Sequence, residues 1–113
     1  MKTLLLLTGC IKPNCTDKIV CNDWQKRQEM YVSAINWYLE NTDYDLTFCE
    51  NSGTDISPLF AKWRGRVEFL TYYSAPTVPE RSRSYKEMEI LEYVIENSKK
   101  MKEAEMVVKI TGR

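Results

Sequence analysis

The chain has 113 residues, 43% of them hydrophobic, and 16 Lys plus Arg balance 16 Asp plus Glu. That length suits one domain, and that hydrophobic share supports a core rather than a disordered chain. The neutral balance argues against a general nucleic-acid binder, which depends on excess basic side chains, and the lack of histidine rules out a Ser-His-Asp triad, a Cys-His pair and a histidine zinc site.

Lys2 to Thr8 is a short apolar run stopped by Gly9, without alternation. It reads as a central strand buried on both faces. Leu7-Thr8-Gly9-Cys10 also matches a bacterial lipoprotein cleavage site. However, the uninterrupted apolar run is only Leu4 to Leu7, whereas a signal peptide needs about 7–15 such residues. No segment approaches the ~18 apolar residues of a membrane span. Cys10 to Asn22 reads as a loop. Asp23 can cap a helix from Trp24 to near Asn41, with Trp24, Gln28, Tyr31, Ile35, Tyr38 and Leu39 on one face. Trp37 falls off that face.

Leu46 to Cys49 is the second expected strand. A short helix follows through Ile56, Leu59, Phe60 and Trp63, stopped by Gly65. Val67 to Tyr73 is a third strand, rich in β-branched and aromatic residues. Ser74 to Arg83 is a loop with Pro76 and Pro79. Ser84 and Glu87 then have capping-box spacing. The helix they open is expected to reach Ser98, with Met88, Leu91, Val94 and Ile95 inward and Lys99 and Lys100 at its negative end. Lys102 to Glu105 reads as a turn, and Met106 to Ile110 as a fourth strand.

Strands and helices therefore alternate. The expected fold is a three-layer, Rossmann-like α/β domain with a mainly parallel sheet of about four strands. The chain stops directly on the fourth strand, so a piece of a longer protein is expected. Cys10, Cys15, Cys21 and Cys49 lack C-x2-C zinc spacing and read as free thiols of a reducing compartment.

In a parallel sheet, ligands bind beyond the carboxyl ends of the strands, where the strand order reverses. Those ends are Thr8-Gly9-Cys10, Glu50-Asn51-Ser52, Thr71-Tyr72-Tyr73 and Thr111-Gly112-Arg113. Arg81, Arg83 and Lys86 surround a helix start whose free N–H groups suit phosphate, with Tyr85 placed to stack on a base or sugar. No G-x-G-x-x-G follows the first strand, and there is no phosphate-loop lysine motif. Asp43-Tyr44-Asp45 is a D-x-D string, but it precedes the second strand and so lies at the opposite edge. It reads as a turn, which leaves any divalent metal without a well-placed ligand pair.

Three stretches together carry a family resemblance. They are Tyr31 to Leu39 followed by Phe48-Cys49-Glu50-Asn51-Ser52, then Ser84-Tyr85-Lys86-Glu87-Met88-Glu89, then Lys109-Ile110-Thr111-Gly112-Arg113. The chain resembles the N-terminal part of bacterial glycosyltransferases of lipopolysaccharide and capsule synthesis. The resemblance implies a GT-A-like donor half that binds a nucleotide sugar; a cytoplasmic chain is expected, with the inner membrane face as an option. A glycan or lipid-linked acceptor would bind in a half expected beyond Arg113. By position, Thr8 and Gly9 would border the nucleotide, and Glu50 and Asn51 would lie near base or ribose. Arg83, Tyr85, Lys86 and Glu87 would form the donor loop. Lys109, Thr111 and Arg113 would end the strand leading to the donor phosphates. Cations at Arg83, Lys86 and Arg113 would offset charge on the departing diphosphate. The chain departs from the family at Ser84 and Lys86, where the family has small residues or glycine. No general base for an acceptor hydroxyl is evident, and the catalytic residues are unassigned.

Two other readings compete. One is a non-catalytic interaction or regulatory module anchored by Trp37 and Tyr44, with a homodimer among its options. A phosphorylated receiver is disfavoured, because Thr8-Gly9-Cys10 supplies no acidic cluster. The other is a thiol enzyme built on Cys10, which without histidine would need a helix terminus or a cation to activate it.

Overall fold

The structure is a computed structural model that describes residues 2–12, 24–63, 65–73 and 83–111. Its elements are β1 (Thr3–Gly9), α1 (Trp24–Asn41), β2 (Asp45–Glu50), a 3-10 segment (Ser57–Trp63), β3 (Val67–Thr71), α2 (Arg83–Asn97), α3 (Lys99–Glu103) and β4 (Met106–Thr111). The strands form one sheet in the order β3-β2-β1-β4, and every neighbouring pair is parallel. Helices cover both faces, so the expected three-layer α/β fold is the one formed.

The unpatterned run of β1 has a direct cause. Leu5 and Leu7 face one layer with Tyr31, Ile35 and Leu39 of α1, while Leu6 faces the other with Ile90 and Val94 of α2. A strand covered on both sides has no polar face to alternate with. Each of these buried leucines contributes roughly 1.5–3 kcal/mol of apolar transfer energy. Leu7-Thr8-Gly9 is therefore the end of a central strand, paired with neighbours on both sides.

Helix α1 spans the expected residues and buries Tyr31, Ile35 and Leu39 at spacings of four. Trp24, Tyr38 and Trp63 pack against that core. Trp37 is 57% exposed, as its position off the stripe requires. The last turn of α1 contains no basic residue, and Arg66 supplies the missing donors. Its Nη1 donates to the Leu39 carbonyl at 2.9 Å, and its Nη2 to those of Thr42 at 2.9 Å and Tyr44 at 2.6 Å. A lysine has no such planar fork. Arg66→Lys is expected to cost about 1–2 kcal/mol, read as a lower thermal midpoint. An unchanged midpoint would mean that the clamp carries no net energy.

The second helical region differs from expectation in three ways. First, α2 already includes Arg83 and Ser84, so Ser84 lies inside the helix and not before it, and the Glu87 carboxylate turns to the sheet. Second, the helix ends at Asn97, next to Ser98 as expected, but a further helix starts directly after it. Ser98 is fully buried and N-caps α3, its hydroxyl accepting from Met101 N–H, so Lys99 and Lys100 begin a helix instead of ending one. Glu68 causes the break by accepting from the Ser98 hydroxyl and from Lys99 N–H. Third, Ile90 and Val94 are the buried pair of α2, whereas Met88 and Ile95 are 59% and 60% exposed. Ile90 and Val94, four residues apart, pack against Leu6 and Cys49, and that packing sets the face of α2 that meets the sheet.

Candidate functional site

The strand order decides where a site can lie. From β1 the chain steps to β2 and β3 in one direction, then returns to place β4 on the other side of β1. The reversal lies between β1 and β4, and crevices of parallel sheets open at such points.

Three side chains meet there. Thr8, at the end of β1, donates through Oγ1 to Glu87 Oε1 at 2.9 Å. Lys109 of β4 reaches the same Glu87 oxygen with Nζ at 2.6 Å. Glu87 stands in the early part of α2. Thr8 lies beside Thr111 in the register of β1 and β4. The Lys109 and Glu87 side chains are 40% and 37% exposed. At that exposure water screens the pair, and it contributes little to folding. A ligand can therefore compete for either partner at small cost.

Gly9 and Cys10 form the rim of β1. The Cys10 N–H donates to the Tyr31 hydroxyl at 3.0 Å, and Arg27 Nε donates to the Cys10 carbonyl at 2.9 Å. A methyl group on Gly9 would lie 2.6 Å from Tyr31 Cε1 and 3.1 Å from Phe48 Cε1. Glycine is required here by this close approach of the rings. Tyr31 and Arg27 were not foreseen as site residues. Arg27 sits four residues before Tyr31, a charge beside the apolar stripe of α1, and that was the available signal.

Glu50 lies on the opposite face, toward α1. It is 1% exposed, and both oxygens are engaged. Oε1 accepts from Ser52 N–H at 2.9 Å, Thr54 N–H at 2.7 Å and Thr71 Oγ1 at 2.9 Å. Oε2 accepts from Ile11 N–H at 2.9 Å and from the Ser52 hydroxyl. These five donors offset the cost of a buried charge. Glu50 thereby ties together the chain just after β1, β2 and its following loop, and the end of β3.

Asn51 continues the β1–β2 ladder, its N–H donating to the Gly9 carbonyl at 3.1 Å. Strand alternation puts it on the α2 face with Thr47 and Cys49. Its neighbour just beyond β3 is Tyr72, whose hydroxyl donates to Glu89 of α2 at 3.1 Å and whose ring stacks on Tyr93 at 4.5 Å. Arg83, Tyr85 and Lys86 belong to the start of α2, at the same edge as Thr8. Arg113 and the expected loop around Arg81 lie outside the described residues, as do Cys15 and Cys21.

Asp45 begins β2, so the D-x-D string does lie at the far edge, and its carboxylate pairs with Lys100 at 3.0 Å. Among the described residues no cluster of acidic or cysteine side chains could hold a metal. A shallow groove of about 370 Å³ between α1 and the 3-10 segment, lined by Gln28, Glu29, Val32, Ser33 and Leu59, includes none of the expected site residues. No helix among the described residues is long and apolar enough to cross a membrane.

Cys10 and Cys49 are free thiols. Burial, and then the charges of Glu50 and Glu87, push the Cys49 thiol from 9.0 up to about 12. Burial and Glu89 raise the Tyr72 hydroxyl as well. For both groups the folded state holds the proton more tightly than the unfolded chain does. The Cys49 contribution to stability is complete below about pH 9 and is lost as pH rises from 9 toward 12, and the Tyr72 contribution begins to be lost only above its ordinary value of 10.0. Denaturant unfolding at pH 8 and pH 10.5 should therefore show lower stability at the higher pH, and a Cys49→Ala variant should show a smaller drop. Equal drops in both proteins would remove Cys49 as a cause.

Comparison with known protein families, curated proteins and solved structures returns no match for this chain.

Proposed function

We propose that this chain is the donor-binding half of a nucleotide-sugar-dependent glycosyltransferase of cell-surface polysaccharide synthesis, with the donor in the crevice between β1 and β4. The observation that carries this reading is the meeting of Thr8, Glu87 and Lys109 at the reversal of strand order. A 15-residue helix, α2, begins at that edge, and its N-terminal N–H groups and partial positive charge favour a diphosphate. Lys109 can exchange its exposed pairing with Glu87 for a phosphate oxygen, leaving Glu87 to accept a ribose or sugar hydroxyl. The family resemblance of the three stretches supplies the sugar-transfer part of the reading. Transfer itself would draw on an acceptor-binding half, with the cations at Arg83, Lys86 and Arg113 offsetting charge on the diphosphate.

The test is calorimetry and thermal shift with UDP-, GDP- and CMP-sugars, with and without a divalent metal. One nucleotide class should bind, and Lys109→Ala should weaken it by roughly 10-fold. Failure of all three nucleotides to bind the full-length protein would end this reading. A second reading, a partner-binding module, draws on the exposure of Trp37 and Tyr44, at 57% and 47%. A stable heteromer without nucleotide affinity would favour it.

A further inference from the structure

The two edges of the sheet are finished differently. β3 is covered on both faces, with Phe69 in the layer of α1 and Leu70 in that of α2. β4 is covered on one. Val107 packs in the α2 layer, and Lys109 reaches Glu87 of α2. Met106, Val108 and Ile110 stand opposite Thr3, Leu5 and Leu7 of β1, so they share the α1 face. Ile110 packs against the core there. Met106 and Val108 do not, and are 45% and 39% exposed, because α1 packs over Leu5, Leu7, Leu46 and Phe48 of β1 and β2.

The strand order puts β4 last, so among the described residues no strand lies along its outer side. Met106 N–H donates inward, to the Lys2 carbonyl at 3.2 Å. Alternation then points the backbone N–H and C=O groups of Val107 and Lys109 outward. An open edge of this kind pairs with a strand that fits it, unless charged side chains guard it. The one charged residue of β4 is Lys109, and its ammonium group is drawn across the α2 face to Glu87. The guard is turned away from the edge.

We propose that β4 docks a second copy of this chain, antiparallel about a twofold axis through Val107, so that the two sheets become one. Charge selects this register. With Val107 opposite Val107, the exposed Glu105 of each copy stands opposite Lys109 of the other, giving two opposite-charge pairs. An axis through Val108 sets Lys109 opposite Val107 and Glu105 opposite Thr111. An axis through Lys109 sets two lysines face to face. In the Val107 register the two Val107 residues exchange both backbone bonds, and Lys109 N–H meets the Glu105 carbonyl of the other copy. Met106 of each copy lies beside Val108 of the other on the α1 face, so the exposed apolar groups cover one another. The twofold axis consumes both β4 edges and closes the assembly. This inference does not rest on the nucleotide-sugar reading, and its test needs no ligand.

Sedimentation equilibrium of the full-length protein over a concentration series should show monomer and dimer without larger species. Glu105→Lys is an exposed change that puts a lysine against Lys109 twice, and it should raise the dimer Kd about 10-fold or more. Hydrogen exchange of the wild-type protein is the second measurement. The Val107 and Lys109 amides should exchange more slowly as protein concentration rises, whereas a free edge leaves them open to water throughout. A monomer at every concentration overturns the proposal, and protected amides in that monomer would assign the edge to residues beyond Arg113. A dimer whose Val107 and Lys109 amides exchange freely also overturns it, because that dimer forms on another surface. A dimer with protected amides but an unchanged Kd in Glu105→Lys overturns the register.

Discussion

Replacing Glu50 by Gln is expected to lower the unfolding free energy by about 2–4 kcal/mol. The substitution keeps the shape and removes one acceptor oxygen. With the amide nitrogen at the Oε1 position, it confronts two backbone N–H groups, of Ser52 and Thr54, and the Thr71 hydroxyl. With the nitrogen at the Oε2 position, Ile11 N–H loses its acceptor and the Ser52 hydroxyl must turn. Either orientation leaves at least one buried donor facing another. A domain of this size has a total stability of about 5–15 kcal/mol, so the loss is a large fraction of it. The midpoint of thermal unfolding, followed by circular dichroism, should fall by more than about 8 °C. A Glu50→Gln protein melting within a degree or two of wild type would show that the carboxylate charge is not what holds the three strand ends together. Any effect of the variant on ligand binding should then track its effect on folding, because neither oxygen is directed at the crevice.

Gly9→Ala is the second large effect, expected at about 2–3 kcal/mol of destabilisation by overpacking. The new methyl group would stand 2.6 Å and 2.7 Å from Tyr31 ring carbons. The ring cannot swing aside cheaply. It is buried among Leu5, Leu7 and Ile35, lies 5.5 Å from the Phe48 ring, and its hydroxyl receives the Cys10 N–H. Relief would displace Tyr31 and release the rim of β1. Combined with Tyr31→Ala, which opens the space, Gly9→Ala should cost much less than it does alone. A double-mutant cycle reads that coupling directly. Strict additivity of the two changes would show that the clash is absorbed elsewhere. Because Gly9 borders the β1–β4 reversal, Gly9→Ala should also weaken nucleotide-sugar binding beyond its effect on stability.

Much of the fold was legible because it rests on local patterning. The spacing of Tyr31, Ile35 and Leu39 defined α1, and the brevity and glycine stop of Leu4 to Leu7 defined β1. The short hydrophobic runs of β2, β3 and β4 then gave strands in alternation with helices. The misread part was the stretch from Ser84 to Lys100. Ser84 and Glu87 have capping-box spacing, but Thr8 and Lys109, distant in sequence, claim the Glu87 carboxylate. Met88 and Ile95 are apolar, yet the packing of Ile90 and Val94 on the sheet turns them outward. Ser98 follows the end of α2, as expected, but Glu68 of β3 also fixes it as the cap of a new helix, which takes in Lys99 and Lys100. In each case a long-range contact decided what the local signal left open.

The candidate site divides along the same line. The sequence by itself determined that polar residues follow each strand, and so which edge of the sheet would hold chemistry, because in a parallel sheet all carboxyl ends share one edge. It could not determine the strand order, since nothing local tells a returning β4 to settle beside β1. The tertiary structure decided that point. Pairing β4 with β1 brings Lys109 and Glu87 to Thr8. Strand alternation turns Glu50 toward α1 and Asn51 toward α2. One residue of offset in a pleated strand thus separates a saturated structural carboxylate from an amide buried on the other face.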